Sequence, residues 1–314
     1  MAAKIPQAII DLYDAFTHGA LDRRAFLERL AGLAGGAAAA SALLPMLTND
    51  YARAAIVPED DPRLDIFTAR FDVDVVDLIE PEELVADGAP NAGVVPTRHL
   101  PFVTAYGARP KNAPRRPAVI VIHENRGLNP HIKDVARRIA LEGFHAYAVD
   151  MLSPFGGTPD DEDRARAMIG KLDRDKTVAK LAEIAGRVER DKAHGGKVGA
   201  VGFCWGGGMV NALAAAQPAL DAGVAYYGRP ASAEEAARIK AALLLHYAGE
   251  DARINAGVPD YEAALKAAGV DYRLYMYEGA QHAFNNDTNA ARYDRAAADL
   301  AWSRTIAFLK ERLG

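Results

Sequence analysis

The chemistry of this chain turns on one thiol. Cys204 is the single cysteine in 314 residues, and it stands in Gly202-Phe203-Cys204-Trp205-Gly206. That spacing is the G-x-S-x-G nucleophile elbow with sulfur in place of oxygen. The run from Lys197 to Val201 leads in as a short strand, and Met209 to Ala216 leads out as a good helix former. The tight turn between them forces its central residue into a strained conformation, and strand and helix approach too closely for side chains on either side. The sulfur then lies at a helix N-terminus, where free N–H groups and the positive dipole end favour a thiolate. The same five residues would also suit a small buried apolar side chain ahead of an alanine-rich helix. A nucleophile needs partners.

The partners must come from other strand ends, because ligands of parallel α/β sheets bind beyond the C-terminal ends of the strands. Reading off the residue that follows each apolar run gives Glu124, Asp150, Cys204, Gly228, Asp251 and His282. Cysteine, aspartate and histidine occur in the chain order of the α/β-hydrolases. In that arrangement His282 takes the thiol proton and returns it to the leaving group, while Asp251 fixes the imidazole tautomer and stabilises its cation. A loop aspartate or a loop histidine alone is commonplace; all three, each at a strand end, point to catalysis.

The elements that would hold them are legible. Ala118 to His123 is a continuous apolar run, as expected of a strand covered on both faces. It ends in the polar loop Glu124 to Pro130, and a helix is expected through Ala140. A strand at 145–149, two helices between 160 and 192, the elbow, strands at 223–227, 242–247 and 272–277, a helix at 259–268 and a closing helix from Ala290 to Arg312 complete the series. Alternating strands and helices imply a mostly parallel sheet with helices on both faces. Phe71 to Leu78 alternates as an edge strand or peripheral extension, and His99 to Tyr106 is expected at an edge because Pro101 cannot donate to a central ladder.

Composition excludes several classes. Half of the residues are apolar and a quarter charged, with a formal net charge of −5 and no cluster of basic residues, which argues against nucleic acid or an anionic membrane as partner. One cysteine forbids an intramolecular disulfide, and the eight histidines show no metal-ligand spacing, so no metal is expected. No cofactor is expected either.

The N-terminus reads separately. Arg23-Arg24-Ala25-Phe26-Leu27 precedes a mildly apolar Ala/Gly-rich run to Leu47 and then Ala52-Arg53-Ala54. Paired arginines, an apolar stretch and a small-x-small site resemble a twin-arginine export signal. Residues 1–54 are therefore expected to engage the export machinery and be removed, leaving an exported, periplasmic protein; the alternative is a cytoplasmic protein that begins with an amphipathic helix and an alanine-rich linker. Gly32, Gly35, Gly36 and Pro45 make the run a poor membrane span, so no stable insertion is expected. Residues 55–95 form an extension of no legible purpose, and 96–314 the catalytic domain.

From Ala118 to Leu313 the chain resembles the dienelactone hydrolases, the carboxymethylenebutenolidases. The residues that carry the resemblance are Gly-Phe-Cys-Trp-Gly-Gly at 202–207, His123-Glu124-Asn125, Tyr226-Tyr227-Gly228, Gly249-Glu250-Asp251 and His282-Ala283-Phe284. It implies a single α/β-hydrolase domain, with Cys204 as nucleophile, His282 as base and Asp251 as its orienter. It also implies that Glu124 holds the resting thiol, and that the N–H groups of Trp205 and Asn125 form the oxyanion hole. Where such enzymes carry an arginine for the substrate carboxylate, position 286 is Asn; a second arginine would fall near residues 164–166. Arg126 and Arg229 follow strand ends and could supply the missing charge, with Tyr227 beside them.

The expected function is hydrolysis of a small lactone or carboxylic ester through a Cys204 acyl-enzyme. A broader carboxylesterase or thioesterase on the same residues, and an exported binding protein that kept the fold and lost catalysis, are the alternatives.

Overall fold

Alternate residues of β3, Ala118–Ile122, serve opposite sides of one sheet. Ala118, Ile120 and Ile122 join one apolar cluster, Val119 and Val121 the other, and all five are buried. The computed structural model describes residues 5–53, 56–73, 78 and 100–314. The other central strands are β4 (His145–Asp150), β5 (Val198–Phe203), β6 (Ala222–Tyr226) and β7 (Ala242–Ala248), and every residue in them is buried. Outside them lie β1 (Leu64–Phe71), β2 (Val103–Pro110) and β8 (Tyr272–Tyr277), giving one eight-stranded sheet of order β1-β2-β4-β3-β5-β6-β7-β8. From β4 to β8 neighbouring strands are parallel; β2 runs antiparallel to both β4 and β1. On one face pack α4 (Pro130–Leu141) and α11 (Arg295–Leu313), and on the other α6 (Arg174–Arg190), α7 (Trp205–Ala216) and α10 (Val258–Ala268). This is the α/β-hydrolase fold.

Register gathers the strand ends. Ile122 pairs with Gly202, Phe203 with Tyr226, Tyr226 with His246 and Ala248 with Tyr277, so the loops after β3, β5, β6, β7 and β8 open along one edge. Three expectations shift. The edge strand is β1 at 64–71 rather than 71–78, where residues 74–77 lie outside the described set. β2 begins after Pro101 and is an interior strand, since the proline precedes the ladder and blocks nothing. The last helix starts at Arg295, where the Asp294 side chain caps the Ala297 N–H, leaving 278–294 as a long irregular loop.

Ahead of the sheet the chain folds into α1 (Gln7–Thr17), α2 (Arg23–Ala34) and α3 (Ala37–Leu47). Asp22 caps α2, the left-handed Gly35 ends it, and the stretch expected as an alanine-rich linker is itself helical. Ile9, Ile10, Tyr13, Phe16, Phe26, Leu30 and Leu47 bury one another in a small core of their own. Phe16 stacks on Phe26 at 4.5 Å between ring centroids. No described helix alone is long and apolar enough to cross a membrane; α2 and α3 pass such a test only together and are bent by 111°.

Candidate active site

The elbow is as tight as its glycines require. A Cβ on Gly202 would lie 2.1 Å from the carbonyl oxygen of Gly206, and one on Gly206 would lie 2.3 Å from that of Ile122. Cys204 itself has φ 55° and ψ −114°. Among the described non-glycine residues with positive φ are Cys204, Tyr227 and Ala283, which follow β5, β6 and β8 at this one edge of the sheet. Backbone strain of this kind persists only where the surrounding structure enforces it.

Asp251 and His282 meet as the strand ends predict. Asp251 Oδ2 is 2.5 Å from His282 Nδ1, and the pair is almost wholly buried. His282 Nε2 has no hydrogen-bond partner, and a donor atom of His282 lies within 4.8 Å of the Cys204 sulfur. Burial opposes ionisation of Cys204, yet His282 and His18 outweigh it and bring the thiol down to about 6. Burial likewise opposes a charged His282, but the thiolate, Asp14 and Asp251 raise it to about 10. Thiolate and imidazolium therefore stabilise each other.

The sulfur's own hydrogen bond goes to a residue that sequence reasoning missed. His18 Nε2 lies 3.4 Å from Cys204 Sγ. His18 is the C-cap residue of α1, and its ring stands edge-on to that of His282 at 4.7 Å. No spacing signal could have found it, because 186 residues separate it from the thiol. Among the described residues, these three side chains form the one close cluster of thiol and imidazole donors.

Glu124 is placed differently from what the resemblance implies. Its Oε2 accepts from Asn286 Nδ2 at 2.9 Å, and its buried Oε1 has no partner. Asn286, standing where an arginine would bind substrate, instead anchors this carboxylate, and its Oδ1 accepts from the N–H and hydroxyl of Thr288. Arg126 is also committed elsewhere. It is buried against Glu162 at 3.0 Å and the Tyr13 hydroxyl at 2.9 Å, so its charge serves the docking of α1 and is not offered to the cavity. The Tyr13 and Glu162 partners, both remote in sequence, are the reason.

A cavity of about 400 Å³ opens over the sulfur. Thr17, His18 and Gly19 form one wall, and Asn125, Trp205, Tyr227, Arg229, Ile254 and His282 line the rest with Arg166, Ala167, Ile169 and Gly170 of α5 (Glu162–Gly170). Arg166, Arg229 and Arg253 stand around it, Arg166 lying within the stretch 164–166 named above. Arg166 also reaches Asp163 and the carbonyl of Phe16. The Tyr227 hydroxyl is buried without a partner. Trp205 is the first residue of α7, where the leading N–H groups have no partner inside the helix.

The model of the dienelactone hydrolase family matches residues 103–313. The chain belongs to this family. A "Putative carboxymethylenebutenolidase" of Saccharolobus solfataricus is 34% identical over 244 residues, covering 66% of this chain and 93% of that protein. A "Probable 2-oxo-3-(5-oxofuran-2-ylidene)propanoate lactonase" of a Bradyrhizobium species is 33% identical over 225 residues, covering 67% and 89%. The crystal structure of a dienelactone hydrolase homologue from Klebsiella pneumoniae superposes with a TM-score of 0.62 at 28% identity, covering 79% of this chain and all but 1% of the other. Dienelactone hydrolases are α/β-hydrolases of esters and lactones, and the sheet, elbow and strand-end residues described above are this chain's version of that scaffold. Residues 1–36 match a different model, described as YqhI-like. That match covers α1 and α2, including His18.

Proposed function

We propose that this dienelactone hydrolase cleaves small carboxylic esters or lactones through an acyl-enzyme on Cys204. The observation that carries the reading is the buried Asp251–His282 pair at 2.5 Å, set against a thiol on a strained elbow. The thiolate attacks the carbonyl carbon, and the negative oxygen is met by the N–H groups of Trp205 and Asn125. The C–O bond then breaks, His282 gives its proton to the departing oxygen, and a thioester is left on Cys204. Water attacks that thioester, the neutral imidazole accepts the water's proton, and the thiolate leaves. Asp251 keeps Nδ1 protonated throughout, so Nε2 always faces the chemistry.

A cavity of about 400 Å³ admits a small acyl group, and Arg166, Arg229 and Arg253 around it favour substrates that carry a carboxylate. The buried Tyr227 hydroxyl is a further donor for such a ligand. Mass spectrometry of the protein quenched during turnover of aryl esters, lactones and dienelactones tests the reading. A mass increment equal to the acyl group on Cys204, absent from Cys204→Ala together with hydrolysis, is the expected result. Hydrolysis by Cys204→Ala at the parent rate would dismiss the thiol mechanism. Export of the folded chain through a twin-arginine route stands as a separate proposal, supported by Arg23-Arg24-Ala25-Phe26-Leu27.

A further inference from the structure

The last turn of α1 is held by the hydrolase body at the groups a helix end leaves unpaired. Its terminal carbonyls lack partners inside the helix. Asn125 Nδ2 donates to the carbonyl of Thr17 at 2.7 Å, and Arg166 donates to that of Phe16 at 3.0 Å. These two bonds fix the residue that follows. His18 Nδ1 lies 2.8 Å from the Asp14 carbonyl oxygen and 3.2 Å from the Asp14 carboxylate, which leaves Nε2 pointing at the sulfur. From the other side of Cys204 the Asp14–His18 pair parallels Asp251–His282, with the Asp14 backbone carbonyl as the hydrogen-bond acceptor and its carboxylate, 3.2 Å from Nδ1, supplying the charge. A helix C-terminus also favours a cation.

We propose that α1 belongs to the catalytic centre and that His18, oriented by Asp14, is a second imidazole that holds Cys204 ionised at rest. The inference rests on the thiolate reading of the site. It gives His18 the resting-state role that the family resemblance assigns to Glu124, whose carboxylate is bonded to Asn286. Asp11 and Glu250 share with His18 the cavity behind the helix. Asp14 lies behind it on the same helix, Cys204 in front, and His282 beside it with Asp251 beyond. Arg253 and Arg292 approach the Asp14 carboxylate at 3.7 and 3.6 Å, and Arg166 and Arg229 line the cavity. Two imidazolium ions 4.7 Å apart repel, but the thiolate between them and a carboxylate behind each offset that repulsion. With Cys204 already ionised, His282 is free from the start to act as acid toward the leaving oxygen.

The test needs no substrate. Cys204 of the full chain is alkylated with iodoacetamide across a pH series, in the parent and in His18→Gln, His18→Ala and Asp14→Asn, with thermal melting as a check on folding. The expected result is an apparent thiol pKa about one unit higher in both His18 variants, which slows alkylation about tenfold on the acid limb. Asp14→Asn should shift it in the same direction, and added imidazole should restore part of the His18→Ala loss. Superimposable profiles in His18→Gln and Asp14→Asn would overturn the proposal and leave the hydrolase reading intact. Hydrolysis by Cys204→Ala at the parent rate would overturn the thiolate reading on which the proposal rests instead.

Discussion

The side-chain amide of Asn286 donates to Oε2 of Glu124 at 2.9 Å, joining two residues 162 positions apart inside the protein. Both are buried, and the other carboxylate oxygen has no partner. Asn286→Ala would strip this group of its one described bond and also free the Thr288 N–H and hydroxyl. Leaving such groups buried costs about 1–3 kcal/mol each. Denaturant unfolding of Asn286→Ala should therefore show a loss of at least about 3 kcal/mol, part of it recovered when Glu124→Gln is added. A variant as stable as the parent would mean that the bond holds nothing in place.

The pH–rate profile should have two limbs. The thiolate is present above about 6 and is lost as pH falls through that value. The imidazolium of His282 is present below about 10 and is lost as pH rises through that value. The reactive pair exists between them, so kcat/KM for a neutral ester should rise through the first and fall through the second. A profile flat from acid to alkali would contradict the ion pair.

Asp251→Asn should leave the fold in place and lower kcat by about 10²–10⁴-fold, because an amide no longer selects the tautomer that presents Nε2. Removing the carboxylate also removes one of the charges that raise His282. The alkaline limb of the profile should therefore move down. An unchanged alkaline limb would show that Asp251 has no part in holding the imidazolium.

The N-terminal segment separates two proposals. Cleavage after Ala54 would take His18 away from the sulfur, whereas a working His18 requires that the segment be retained. Intact-mass measurement of the active protein from each cell fraction is expected to find residues 1–54 present. A fully active form beginning near Ala55 would overturn the role of His18 and support removal of an export signal. Replacing Arg23 and Arg24 by Lys then tests export itself, by whether the protein still leaves the cytoplasm.

Much of the sheet was readable because its central strands are apolar on both faces and end in polar loops, as Ala118–His123 does before Glu124. The meeting of Asp251 with His282 was legible from strand ends. Asp251 and His282 are 31 residues apart, yet each closes a strand, and the parallel register does the rest. The edge strand lies seven residues earlier than expected, since β1 ends at Phe71, where the alternating run to Leu78 begins. His18 was invisible for a different reason. Its role depends on the docking of α1 through Tyr13–Arg126, Thr17–Asn125 and Phe16–Arg166, contacts between residues 108 to 150 positions apart that leave no periodic trace. Arg126 and Glu124 sit at strand ends as expected, but the partners that claim them, Glu162 and Asn286, lie far along the chain.

The docking of α1 against a loop that follows β8 sets an order of events during synthesis. The helix that carries His18 leaves the ribosome first, while the surface it needs is completed only when His282 has emerged, 264 residues later (282 − 18). At bacterial or eukaryotic elongation speeds that wait is roughly 10–50 s. For the last 78 residues of that wait (282 − 204) the newborn chain carries Cys204 without His282 and without the fold that brings His18 to it. On the proposed mechanism reactivity therefore arrives last, and a chain stopped before His282 would not acquire it.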